Sequence, residues 1–393
     1  MTLHSSPTSQ ESTSSETAQS DVILNEVERL QSAGSLNTSQ KPRPKRSRFL
    51  AHRAAPGQQG LLDHLAPRRP DALHGIYLAG QAVSKNEILS GYLDRLTKTH
   101  ATALVILVKA GTVYFQTEAP LANEIHSIDP QYELPVVVKA AKDRGLYTIA
   151  RFVALNDGVL AARHPDAQIK GIRSQKPLNT DWVDGADPFT LDYNRELIAD
   201  IAKSGIDEIN FDYIRFPTSV SMEAIGLTGD EKADRIEAFL QMARQTIDEV
   251  NPAVKLGIST YAILGWNFPV NFEHLGQDIA RFAPLVDVIS PMAYPSTFSP
   301  DGAYVPRSFS GSRNYYLVWR TLKGYQDLLG GDPDHKLRPW IQGYGMKPEG
   351  VRQQIQAVYD AGVCGFTVWN ANNNYNETLA AFRQMPEQPV ECS

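Results

Sequence analysis

From His74 to Trp369 the chain alternates strand-like and helix-like segments with little interruption, and this alternation constrains its fold more than any other feature. Strand-like runs are His74–Gly80 (HGIYLAG), Ala103–Lys109 (ALVILVK), Leu146–Leu155 (LYTIARFVAL), the stretch ending at Asp212 in DEINFDYIRFP, Lys255–Tyr261 (KLGISTY), Val286–Met292 (VDVISPM), Leu337–Gln342 (LRPWIQ) and Gly365–Trp369 (GFTVW). ALVILVK is apolar up to its lysine, as expected of a strand buried on both faces. Between the runs, segments such as Leu191–Lys203 and Asp230–Val250 carry apolar residues at helical spacing. Eight strands joined by helices predict an α/β fold, a closed (β/α)8 TIM barrel, rather than a doubly wound sheet. A dinucleotide-binding sheet would want a glycine-rich turn after its first strand. Gly75 and Gly80 do not form GxGxxG, and no P-loop occurs.

The most informative single segment is Glu208–Pro217 (EINFDYIRFP). Ile209, Phe211, Tyr213 and Ile214 have strand character, while Pro217 cannot donate to a ladder and stops the pairing. Asp212 is therefore expected at the carboxy-terminal end of a buried strand, the face where parallel barrels gather their chemistry. The plainer reading is an Asp212–Arg215 pair that only orders a loop. Polar groups beyond the other strands would converge on the same mouth: Lys109 after the second, Asn156 and Asp157 after the third, Tyr294 in SPMAYP after the sixth, Gln342 and Tyr344 after the seventh, and Trp369, Asn370 and Asn372 after the eighth. Acids, cations, amides and flat aromatic faces suit a carbohydrate, whose hydroxyls need directional hydrogen bonds and whose apolar ring face packs on Trp or Tyr. Each has a plain alternative: Trp369 as core, Lys109 as a counter-ion for Asp157, and Asn370 and Asn372 as turn formers.

In order, HGIYL, LVK, IARFVALND, Trp182-Val183-Asp184, DEINFDYIRFP, ISPMAYP, LRPWIQGY and VWNANNNY resemble the family of putative glycoside hydrolase domains built on a TIM barrel and distantly similar to α-amylase-like enzymes. The resemblance covers residues 71 to 382, with FDYIRFP and the PMxYP segment as its most specific marks. It implies a glycosidase acting on a poly- or oligosaccharide, with Asp212 as nucleophile or charge stabiliser. The chain departs from the family pattern at two places. Ala110 stands where an acid commonly follows the lysine of the second strand, and Ser259–Gly265 lacks the acid that follows the fifth. Glycoside hydrolysis generally uses two carboxylates. Asp157 is the expected second one, acting as acid/base, and Glu118 a weaker choice. Lys109, Arg215, Tyr294, Gln342, Trp369, Asn370 and Asn372 are the expected substrate contacts, with Trp340 a further stacking platform. The alternative is a carbohydrate-binding barrel that has lost catalysis.

Composition narrows the remaining classes. At 393 residues, 42% hydrophobic, the chain can bury a large core, and a net charge of −6 argues against a general nucleic-acid surface. No cofactor motif is present, and the histidines show neither HxH nor HExxH spacing, so no metal site is expected. Two cysteines, Cys364 and Cys392, do not suggest a disulfide framework, and Cys364 is expected as a small core residue. Residues 1 to 70 are polar and proline-containing, so a disordered extension is expected before a barrel spanning 71 to 385. Within the extension, Val22–Leu30 could form a transient helix, and the basic run Lys41–Arg53 is read as a solvated linker. No run of 18 uncharged apolar residues occurs and no signal peptide is apparent near Met1, so a cytoplasmic location is expected. Oligomeric state is not legible.

Overall fold

The computed structural model describes residues 69–300, 304–389 and 392; the expected extension lies outside the described residues apart from Arg69 and Pro70. Ten strands form one sheet: β1 (His74–Leu78), β2 (Ala103–Ala110), β3 (Thr112–Phe115), β4 (Ile128–Tyr132), β5 (Tyr147–Val153), β6 (Glu208–Asp212), β7 (Lys255–Tyr261), β8 (Val288–Ala293), β9 (Trp340–Gln342) and β10 (Phe366–Trp369). Eight of them, β1, β2 and β5 to β10, pair in parallel in chain order, and β1 closes the ring by pairing with both β2 and β10. The chain is a TIM barrel.

The predicted strands and helices are found with shifts of a few residues. Between β7 and β8 lie two short helices, Pro269–Leu275 and Ile279–Phe282, separated where Gly276 takes φ +69°. Strands β3 and β4 were not anticipated. After β2 the chain turns at Gly111, φ +69°, a left-handed conformation that glycine adopts without a Cβ penalty. Strand β3 then runs back antiparallel to the end of β2, and β4 pairs parallel with β3, extending the sheet above the barrel rim.

Alternation within the strands separates two layers. Outward residues such as Ile209 and Phe211 pack under the helices, with the Phe211 ring edge-on to Phe239 of the helix Gly229–Val250 at 5.4 Å. Inward residues are unusually polar. At the bottom of the barrel Glu208 accepts two hydrogen bonds from Arg338, at 2.6 and 2.9 Å, and above it Asn210 accepts from Ser259 Oγ at 2.8 Å. Gly257 faces this layer because nothing larger fits: a Cβ there would lie 2.5 Å from Asn210 Nδ2 and 2.6 Å from Glu208 Oε1. Trp340, expected as a stacking platform, belongs to the same interior, where its indole N–H donates to Ser259 Oγ at 2.9 Å.

The expectation for the cysteines is corrected. Cys364, just before β10, is bonded to Cys392, which ties the C-terminal segment to the bottom of the barrel. Disulfides persist in oxidising compartments and are rare in the cytosol, so this bond speaks against the cytoplasmic expectation. It closes a loop with a sequence separation of 28, for which chain entropy predicts roughly 3 to 4 kcal/mol of stabilisation. Cys364→Ser is therefore expected to lower the free energy of unfolding by about that amount in a denaturant titration under oxidising conditions. Equal midpoints for the two proteins would show that the bond is dispensable.

Candidate functional site

Asp212 ends β6 and points into the mouth of the barrel. Its Oδ2 accepts from Arg151 Nε at 2.8 Å and Nη2 at 2.5 Å, and its Oδ1 accepts from the backbone N–H of Tyr213 at 2.8 Å. Arg151 lies one strand away in β5, with its guanidinium 5.3 Å from the ring centre of Tyr77 on β1. Asp212 is only 3% exposed and is a buried member of an ion pair with Arg151. Sequence reasoning missed Arg151. The signal was present: Tyr147, Ile149 and Arg151 share a parity, and a charged residue on one face of an otherwise apolar run needs a partner inside.

The residue after Asp212 is strained. Tyr213 adopts φ +51°, which is uncommon outside glycine and a genuine outlier for a bulky side chain. Such outliers cluster at functional sites, where surrounding structure over-determines them. Here the backbone N–H is turned onto the carboxylate, and the ring borders the guanidinium of Arg215 at 5.2 Å. Arg215 does not pair with Asp212. It donates to the Phe216 carbonyl at 2.8 Å and to Tyr261 Oη at 2.8 Å, and it lies 4.5 Å from the ring centre of Tyr261 and 4.6 Å from that of Trp182. The Trp182-Val183-Asp184 segment thus serves as one wall of an aromatic bracket around this arginine.

Lys109 and Asp157 lie together but not in the mouth. Strand β2 carries one extra residue: Leu107 is level with Arg151, but Lys109 is level with Phe152. This bulge reverses the parity of the strand. Ala103, Val105 and Leu107 belong to the interior, whereas Lys109 turns outward, 4.7 Å from the ring centre of Phe152 and 5.5 Å from that of Tyr193. There its ammonium pairs with Asp157 at 2.7 Å and donates to the Val153 carbonyl at 2.9 Å. Asp157 also accepts the N–H of Leu160 at 2.9 Å, capping the short helix Gly158–Arg163. Burial pushes the Lys109 ammonium down from its ordinary value while Asp157 pulls it back. Neither residue has exposed surface: Asp157 caps the helix and pairs with Lys109 away from solvent. Glu118 is also displaced. It is exposed, and its neighbour Thr117 donates to Asp200 near the end of the helix Pro188–Lys203.

The opposite wall gathers several predicted contacts. Tyr294 stacks on Trp369 at 5.7 Å between ring centres, and Tyr344 stands edge-on to Trp369 at 5.3 Å. Gln342 is spent on structure, accepting from the Ser296 N–H at 3.0 Å and donating to the Tyr344 carbonyl at 3.0 Å. Asn370 likewise shapes its loop, donating to the carbonyls of Gly343 and Asn374 and accepting from the Asn372 N–H. Asn372 is exposed at the tip of that loop. On the β1 side, the unanticipated strands add Tyr114 and Tyr132; Tyr132 donates to the Leu107 carbonyl. Burial pushes the Tyr114 phenol up, Asp129 adds to this, and Arg151 opposes it, so Tyr114 is within electrostatic reach of the Arg151–Asp212 pair. Among the described residues no group of three or more His, Cys, Asp or Glu is arranged to hold a metal, and no helix is long and apolar enough to cross a membrane.

No curated protein matches the chain. A hypothetical protein from Ruminiclostridium thermocellum ATCC 27405 is 30% identical over 47% of this chain and 96% of its own, with a TM-score of 0.40. A β-galactosidase from the psychrophilic Marinomonas ef1 is 11% identical, with a TM-score of 0.53 over 76% of this chain and 54% of its own. A class V chitinase from Pseudomonas fluorescens Pf-5 is 12% identical, with a TM-score of 0.50 over 79% of this chain and 98% of its own. At such identities the last two show a shared barrel fold. A family model described as putative glycosyl hydrolase domain matches residues 75–375, and the chain belongs to that family.

Proposed function

We propose that this protein hydrolyses a poly- or oligosaccharide at the carboxy-terminal face of the barrel, with Asp212 as nucleophile or stabiliser of positive charge. The observation that carries the reading is the Asp212–Arg151 pair at the floor of an aromatic mouth, followed directly by the strained Tyr213. A carboxylate oriented by a guanidinium and a backbone N–H is suited to attack an anomeric carbon or to face an oxocarbenium-like centre. Tyr294, Tyr344 and Trp369 form an apolar wall against which a sugar ring can lie. Tyr77 and Tyr114 border the other side.

A second reading rests on the burial of Asp157 and the missing acid after β7: a barrel that binds glycans without cleaving them. The two separate on a panel of α- and β-linked aryl glycosides and unmodified oligosaccharides. Turnover of at least one aryl glycoside, with the product anomer read by NMR, is the expected result. Calorimetric binding of an oligosaccharide with no turnover anywhere in the panel would replace the hydrolase reading with the binding one.

A further inference from the structure

Glycoside hydrolysis needs two proton-handling or nucleophilic groups; Asp212 supplies one at the mouth, and Asp157, expected as the second, is buried against Lys109. We infer that Tyr261, at the end of β7, carries the proton, acting as general acid and then general base; the inference rests on the hydrolase reading above. Inward parity along β7 runs through Gly257 and Ser259, which face Asn210, to Tyr261, which is half-buried at the mouth. Phe211 is level with Ile258, so Asp212 is level with Ser259 and Tyr261 stands one layer higher on the adjacent strand. A rise of ~3.3 Å per residue and a strand spacing of ~4.8 Å put their Cβ atoms about 8 Å apart. Two side chains leaning into the same mouth from there can flank one glycosidic bond.

Arg215 supplies the electrostatic part. It is buried, fixed by the Phe216 carbonyl and bracketed by Trp182 and Tyr213, and it places one N–H on Tyr261 Oη at 2.8 Å. The phenol oxygen accepts from a cation, which stabilises the phenolate that forms when its proton is transferred. Gln277 accepts from the Tyr261 N–H and Tyr325 donates to its carbonyl, which holds the backbone of this residue in place. In the first half-reaction an oxygen of Asp212 bonds to the anomeric carbon, the bond from that carbon to the leaving oxygen breaks, and the Tyr261 proton passes to that oxygen. The phenolate left behind faces Arg215. In the second half the phenolate takes a proton from water, whose oxygen bonds to the anomeric carbon as the ester to Asp212 breaks. Tyrosine is an accepted general acid, and such assistance contributes about 10² to 10⁴-fold.

Tyr261→Phe removes only the hydroxyl. On whichever sugar the wild type cleaves, kcat/KM for the unactivated oligosaccharide is expected to fall by about 10² to 10⁴-fold, while that for the dinitrophenyl glycoside, whose leaving group needs no proton, changes less than about tenfold. The comparison is internal to one sample, so any unfolded fraction cancels in the ratio. Equal losses on both substrates, or no loss on either, would overturn the inference while leaving the hydrolase reading intact. Absence of turnover in the wild type would instead remove that reading and this role with it.

Discussion

Asp212→Asn is expected to reduce turnover on the order of a thousandfold or more, because it removes the group that bonds to or faces the anomeric carbon, and loss of a nucleophile costs at least this in comparable enzymes. It is also expected to lower stability. Asparagine keeps the shape and one acceptor oxygen but not the charge that Arg151 meets in this nearly solvent-free setting, and a hydrogen bond to a charged group contributes roughly 1.5 to 3 kcal/mol. Activity and stability can be separated with a second change. In Asp212→Asn combined with Arg151→Met the buried guanidinium is gone as well, so much of the lost stability should return while turnover stays absent. If the double variant regains both, Asp212 is a structural partner of Arg151 and the chemistry lies elsewhere. Denaturant midpoints and kcat/KM on the same three proteins decide the matter.

The largest purely structural effect is expected at the other end of the barrel. Glu208 and Arg338 are both fully buried, and Arg338 also donates to the Pro70 carbonyl at 2.8 Å, so this pair joins β6, the approach to β9 and the segment entering β1. Removing one partner leaves an uncompensated charge, at a cost of about 3 to 5 kcal/mol. Glu208→Ala should lower the unfolding free energy by that amount, yet leave kcat of the remaining folded protein unchanged, since the chemistry sits at the opposite face. A loss below ~1 kcal/mol, set against that expected range, would mean that water or a rearranged side chain satisfies Arg338. A selective loss of kcat would mean that the two faces are coupled.

Much of this molecule was readable without coordinates. The alternation of apolar runs gave eight strands in the right order, and EINFD followed by a proline placed Asp212 at the mouth. What failed did so for identifiable reasons. The segment between ALVILVK and Pro135 hides two short strands, because β4 (Ile128–Tyr132, IDPQY) contains a proline and little apolar surface and pairs only above the rim. Lys109 reads as an inward residue by counting from Ala103, and one bulged residue reverses it. Cys364 and Cys392 are distant in sequence and gave no spacing signal for the bond between them.

The identities of the site residues were local matters and so belonged to the sequence. Which of them meet was not. Two arginines and two aspartates stood near the strand ends, and sequence proximity favours Asp212 with Arg215; the fold instead pairs Asp212 with Arg151 and gives Arg215 to Tyr261. The physical reason is that a closed parallel barrel sets partners by strand register and side-chain parity. A burial pattern along one strand fixes which face is apolar, but charge pairing inside the barrel depends on neighbouring strands whose relative register no single segment encodes.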